Sequence, residues 1–105
     1  MDDLLRFILE IEKRPGLYIG NTDLTCLCHF LNGYIGAKLE NAENEYFGKW
    51  LNDDFRIFLV EKYNDNRTFS WAHLIIANEV DGNSTDTFFR LLHEYLSKKT
   101  GRDNR

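Results

Sequence analysis

Leu4, Phe7, Ile8 and Ile11 recur at the i, i+3, i+4, i+7 spacing that lines apolar side chains along one face of an α-helix. Leu5 and Leu9 widen that face, which predicts a well-buried helix. The same period returns in Leu24, Leu27, Cys28, Leu31, Tyr34, Ile35 and Leu39. It returns again in Phe47, Leu51, Phe55, Phe58 and Leu59, and in Phe88, Leu91, Leu92, Tyr95 and Leu96. A chain with this repeat must bury several helical stripes against one another. The expectation is an all-α fold, a compact single-domain bundle of five or six helices over residues 1–100, with 101–105 as a frayed tail. The 105 residues, 43% of them hydrophobic, suffice for one core without disulfides or a structural metal.

Local signals place the boundaries. Asp2 and Asp3 suit the positive end of a helix over 2–14, and Lys13 and Arg14 suit its negative end. Pro15 biases Arg14 away from helical geometry, and Pro15-Gly16 fits the centre of a type II turn. Leu17, Tyr18 and Ile19 then form a short link packed into the core. Asn21, Thr22 and Asp23 are capping residues for a second helix over about 23–44. Gly33 and Gly36 weaken its middle, and the expected compensation is close approach of another helix. Residues 47–63 read as helical, with Asn52 or Asp53 able to cap a fresh start. Ser70 caps a short helix through "WAHLIIANE", and a last helix runs from about 85 to 99, with Gly101 at its stop. Short apolar runs are ambiguous between helix and strand. The alternative is therefore α+β, with "FRIFLV" and "AHLIIA" as a short two-stranded hairpin within 55–77.

The net charge of −4 argues against direct nucleic-acid binding, which needs a basic face for the phosphates. It suits a protein that meets a basic partner. "MDDLLRF" lacks the basic start and apolar run of a secretory signal, and no stretch approaches the length of a bilayer span. The expected location is the cytoplasm. Cys26 and Cys28, two residues apart, are not a structural disulfide in a reducing compartment.

Several motifs invite a sharper chemistry. "RPGLYIG", residues 14–20, resembles a segment of the ATP-binding domain of type II topoisomerases of the gyrase B family. That family carries a water-activating glutamate and a magnesium-holding asparagine on the following helix. Matching the turns puts His29 and Gly33 at those places, and no Asp-x-Gly-x-Gly loop follows. No nucleotide site is expected. "CLCH", residues 26–29, offers no four-ligand set for zinc, so no metal or other cofactor is expected, and Cys28 reads as small core filler. Ser70, His73 and His93 lack any nucleophile elbow. The chain is not expected to be an enzyme.

The acidic residues form two groups. Glu40, Glu43 and Glu45 follow the second helix, with Asp53 and Asp54 one loop later. Glu79, Asp81 and Asp86 flank the turn before the last helix. Either group can be a solvated face or a negative patch matched to a basic partner. Tyr46 and Trp50 are candidate aromatic anchors beside the first group, because such residues dominate interface energetics. Trp71 is expected in or at the edge of the core.

Over most of residues 8–96 the order of segments is similar to small bacterial immunity proteins of polymorphic-toxin systems, including contact-dependent growth inhibition. "RPGLYIG" leads into "LCHFLNGYIGA", then "VEKYN", "SWAHLII" and "DTFFRLLHEYL". The resemblance implies a cytoplasmic, non-catalytic protein that binds the C-terminal domain of a cognate toxin, as a monomer in a 1:1 complex. Many such toxins are nucleases with basic clefts. The implied mechanism is occlusion of that cleft, with an RNase as the first expectation and a DNase the second. The alternative is a small cytosolic adaptor or regulatory protein-binding domain.

Overall fold

A computed structural model describes residues 2–14, 23–80 and 82–100. Among them the chain is all-α. It forms α1 (Asp3–Lys13), α2 (Leu24–Leu39), α3 (Arg56–Tyr63), α4 (Trp71–Asn78) and α5 (Ser84–Thr100). A 3-10 turn (Ala42–Asn44) and a π-helical turn (Trp50–Phe55) lie between α2 and α3. The readings of Pro15, Gly16, Leu17, Tyr18, Ile19, Asn21, Thr22 and Gly101 lie outside the described residues, as does the tail. The chain packs as two compact units, Met1–Trp50 and Leu51–Arg105.

In the first unit Asp2 caps α1, its Oδ1 accepting from the Leu5 amide at 2.8 Å. Leu4, Ile8 and Ile11 are fully buried along one stripe, and Asp23 caps α2 by accepting from the Thr25 amide at 2.7 Å. Helix α2 buries Leu24, Leu27, Cys28, Leu31 and Ile35, then ends earlier than its sequence suggests. Asn41 turns extended, at φ −98° and ψ 125°, so residues 42–44 form a separate 3-10 turn. Leu39 is 43% exposed as a result.

Gly33 and Gly36 correct another expectation. A Cβ built at either position meets nothing within 4 Å among the described residues, so neither glycine serves close approach of a described helix. Gly48 is different. Its φ is +82°, and a Cβ there would sit 2.9 Å from the Ile35 side chain. Alanine at Gly33 or Gly36 should therefore stabilise the fold by about 1 kcal/mol each, through helix propensity and reduced unfolded-chain entropy. Alanine at Gly48 should destabilise by about 1–2 kcal/mol, because it forces a left-handed backbone on a residue with a Cβ. Urea unfolding of the three variants checks both signs.

The second unit corrects the hairpin alternative. Residues 55–60 and 72–77 are helical. Leu51, Phe55 and Leu59 are fully buried four residues apart, a helical spacing that alternation in a strand would split. In α4, Trp71, Ala72, Leu74 and Ile75 are buried together, again a helical arc. Ser70 caps α4 as expected, its Oγ accepting from the His73 amide at 3.1 Å. Neither Asn52 nor Asp53 caps α3: the π-helical turn runs into it, and Phe55 is already helical at φ −65° and ψ −36°. Helix α3 stops at Asn64, whose left-handed φ of 52° ends the run. Helix α3 packs on α4 and α4 on α5. Helix α5 buries Phe88, Phe89, Leu91, Leu92 and Tyr95, whereas Leu96 is only half-buried.

The loop joining α3 to α4 is held by Asp65. Its Oδ1 accepts from the Arg67 amide (3.1 Å) and Nε (2.9 Å), and its Oδ2 from Arg67 Nη2 (2.6 Å) and Asn78 Nδ2 (2.9 Å). From α3, Arg56 reaches back to the Phe69 and Arg67 carbonyls. The Arg67 hydrogen bonds, then that of Asn78, hold the Asp65 carboxyl well below the usual carboxylate range. A depressed carboxylate stabilises the fold above the unfolded value of about 3.9, and the contribution fades as pH falls below it. Asp65→Asn should thus be less stable than the parent at pH 7. The gap should narrow between about pH 4 and pH 2, as read from denaturant midpoints along the series. A gap that stays constant with pH would remove Asp65 from the acid response.

Candidate protein-binding surface

The segment after α2 is a hydrogen-bonded scaffold. Asn41 Oδ1 accepts from the Glu43 amide at 2.9 Å, and the Asn41 carbonyl accepts from the Asn44 amide at 2.8 Å. Asn44 Nδ2 donates to the Lys38 carbonyl at 3.2 Å, which ties the turn to the end of α2. The Asn44 carbonyl accepts from Phe47 at 2.8 Å and the Tyr46 carbonyl from Lys49 at 3.1 Å. Gly48 closes the segment against Ile35.

This scaffold displays Glu40, Glu43 and Glu45, all exposed, and Tyr46, 70% exposed. None of the three carboxylates has an ion pair or hydrogen bond among the described residues. Other acids in the chain do. Asp3 pairs with Arg6, Glu10 with Lys13, Glu94 with Lys62 and Asp65 with Arg67. Residues 1–50 carry eight acids against five bases, so most of the net negative charge falls in the first unit.

An aromatic row runs beside the turn. Phe47 meets Tyr34 edge-on at 5.7 Å, Tyr34 meets Phe7 at 4.5 Å, and Phe7 meets Phe30 at 5.8 Å. An open groove of about 400 Å³ is lined by Asp3, Arg6, Phe7 and Glu10 of α1 and by Tyr34 of α2. The four α1 residues fall at i, i+3, i+4 and i+7, one face of that helix. The Lys38 ammonium lies over the Tyr34 ring, 5.6 Å from its centre. Trp50 is half-buried, and its Nε1 donates to Asp2 Oδ1 at 3.3 Å, which links it to the start of α1.

The remaining acids belong to different surroundings. Asp53 and Asp54 are exposed on the π-helical turn. Burial, then the Asp54 carboxylate, pushes the Tyr95 hydroxyl up. Glu79 is half-buried near Tyr63, whose hydroxyl is also pushed up, first by burial and then by Glu79, against an opposing pull from Arg90. Asp86 works at the start of α5: its amide donates to Asn83 Oδ1 at 3.1 Å, and its Oδ2 accepts from Asn83 Nδ2 at 2.8 Å. Asp81 lies outside the described residues. Among the described residues Glu40, Glu43 and Glu45 are therefore unpaired and on display, whereas Asp86 serves the start of α5.

The sequence-level candidates for chemistry are dispersed. Cys28 is buried and Cys26 exposed, and neither is in a disulfide. Burial pushes the Cys28 thiol up, partly offset by the Asn32 side chain 3.7 Å away. His73 stacks on Phe69 at 3.8 Å. Among the described residues, no group of three or more His, Cys, Asp or Glu is placed to hold a metal ion, and no helix is long and apolar enough to cross a membrane.

The sequence groups Glu40, Glu43 and Glu45 but places them at the end of the second helix, whereas the structure carries them on a turn, and it does not mark the groove. The spacing of Asp3, Arg6, Phe7 and Glu10 is visible in the sequence, but Tyr34 reads there only as part of the apolar face of the second helix. Comparison with family models, curated proteins and solved structures gave no match to this chain.

Proposed function

We propose that the protein is an immunity protein that binds a cognate toxin domain and neutralises it by covering a basic cleft. The observation that carries this reading is the turn of residues 40–46. It holds three unpaired carboxylates and an exposed tyrosine on a scaffold fixed by Asn41, Asn44 and Gly48. Unpaired exposed charge on a hydrogen-bonded turn suits recognition by a basic partner. A nuclease cleft that holds phosphates presents the complementary charge, and an RNase is the first choice. The proposed mode is a monomer in a 1:1 complex in the cytoplasm, acting by occlusion without catalysis, cofactor or direct contact with nucleic acid.

The test is co-expression with the product of the adjacent upstream gene, followed by size-exclusion chromatography and a nuclease assay. A 1:1 complex with nuclease activity abolished is the expected result. A complex that leaves the partner's activity intact would instead favour the adaptor reading. Failure to associate would remove the toxin reading for that gene product.

A further inference from the structure

We propose that the groove between α1 and α2 seats a large apolar side chain, aromatic by preference, from a partner segment flanked by lysine or arginine. The inference rests on the reading above and names the partner chemistry at that surface. The groove floor is aromatic, made by Phe7 and Tyr34, with ring centres 4.5 Å apart. Phe30, in contact with Phe7, is 36% exposed and extends the apolar surface. Its rim charges are paired within α1, Asp3 with Arg6 at 3.3 Å and Glu10 with Lys13 at 3.8 Å. With the α1 charges paired and the Lys38 ammonium over the Tyr34 ring, the two aromatic rings are the groove's apolar surface, and they suit an uncharged, ring-sized guest. Stacked or edge-on aromatic pairs add to the gain from area alone.

The field comes from next door. Tyr34 touches Phe47, which follows Tyr46 in the turn that displays Glu40, Glu43 and Glu45. Through Tyr34 and Phe47 the groove adjoins that turn, and the flanks of a segment seated over Phe7 and Tyr34 are proposed to meet its carboxylates. Charge complementarity therefore requires the flanks to be basic. An apolar anchor in a pocket with charged residues around it is the usual distribution of binding energy at an interface.

The probe is the capped pentapeptide Lys-Lys-Trp-Lys-Lys, which spans at most roughly 17 Å when extended. It is titrated into the full chain labelled for backbone amide and aromatic NMR signals. The comparison peptides replace the tryptophan by alanine or all four lysines by glutamate. The tryptophan–lysine peptide should saturably shift the Phe7 and Tyr34 ring signals together with the amides of residues 43–46. The alanine peptide should bind about tenfold more weakly and move only those amides, and the glutamate peptide should move neither. If the tryptophan and alanine peptides bind equally and leave the Phe7 and Tyr34 rings unmoved, the groove inference is overturned while the acidic turn keeps its basic partner. If the glutamate peptide fills the groove equally well, the basic flank is overturned. If no lysine peptide moves residues 43–46, recognition of basic segments fails, and the proposed function loses its support with it.

Discussion

Replacing Phe55 by alanine should remove about 3–5 kcal/mol of folding stability, the range for deleting a large buried aromatic. Phe55 is fully buried where the π-helical turn passes into α3. Its ring meets Phe88 and Tyr95 edge-on at 5.8 and 5.5 Å, and lies 6.0 Å from Phe58 and 6.2 Å from Trp71. Four aromatics from three helices thus lose one shared neighbour. The surrounding rings are rigid and cannot collapse fully into the space, so a cavity term adds to the lost transfer energy. Domains of this size hold only about 5–15 kcal/mol in total, so the variant should lose a large share of its stability and unfold at a much lower urea concentration. Ile57→Ala, two residues away and 53% exposed, is the control and should change stability by about 0.5 kcal/mol or less. Equilibrium urea unfolding followed by tryptophan fluorescence reads both. A Phe55→Ala loss below about 1 kcal/mol would show that the aromatic cluster is not the core of the second unit.

The second large effect concerns association. Reversing Glu40, Glu43 and Glu45 together to lysine changes the local charge by six units on a surface with no internal ion pair to break. With a basic toxin domain, the association rate should fall by about ten- to a hundredfold at low salt, within the span seen among mutants of one interface. The difference should shrink as ionic strength shortens the Debye length to about 8 Å at physiological salt. Dissociation should change less, because rim charges act mainly on encounter. Asp53→Lys/Asp54→Lys and Asp86→Lys serve as separate comparisons, and their effect should be smaller. Stopped-flow mixing at two salt concentrations makes the measurement. An association rate insensitive to the triple reversal would exclude electrostatic steering by this turn, whatever else the protein binds.

Much of the helical pattern was legible because buried side chains repeat with the helix itself. Leu4, Ile8 and Ile11, or Leu51, Phe55 and Leu59, announce a face without any knowledge of its partner. Ser70 was legible for a related reason: a cap acts within three residues of itself. What failed depended on distant neighbours or on backbone detail. Gly33 and Gly36 look like contact residues, but only the packed chain shows that no described residue lies close beside them. Asn52 and Asp53 have capping chemistry, yet no helix starts there because the π-helical turn has already begun. Asp65 carried no periodic signal, although it holds four hydrogen bonds. The groove needed Phe7 and Tyr34, twenty-seven positions apart, to be brought into ring contact.

The turn after α2 separates what is shown from what does the showing. Asn41, Asn44 and Gly48 determine its path, and substitution there disturbs the backbone itself. Glu40, Glu43, Glu45 and Tyr46 are exposed. Exposed positions of that kind typically change stability by no more than about 0.5 kcal/mol when replaced. Over generations such a lineage can try new charges and new rings at four sites with almost no folding penalty, while the frame stays constant. On the proposed reading, partner choice is then free to diverge quickly between close relatives, which would share asparagines and glycine at the frame positions and differ at the display positions.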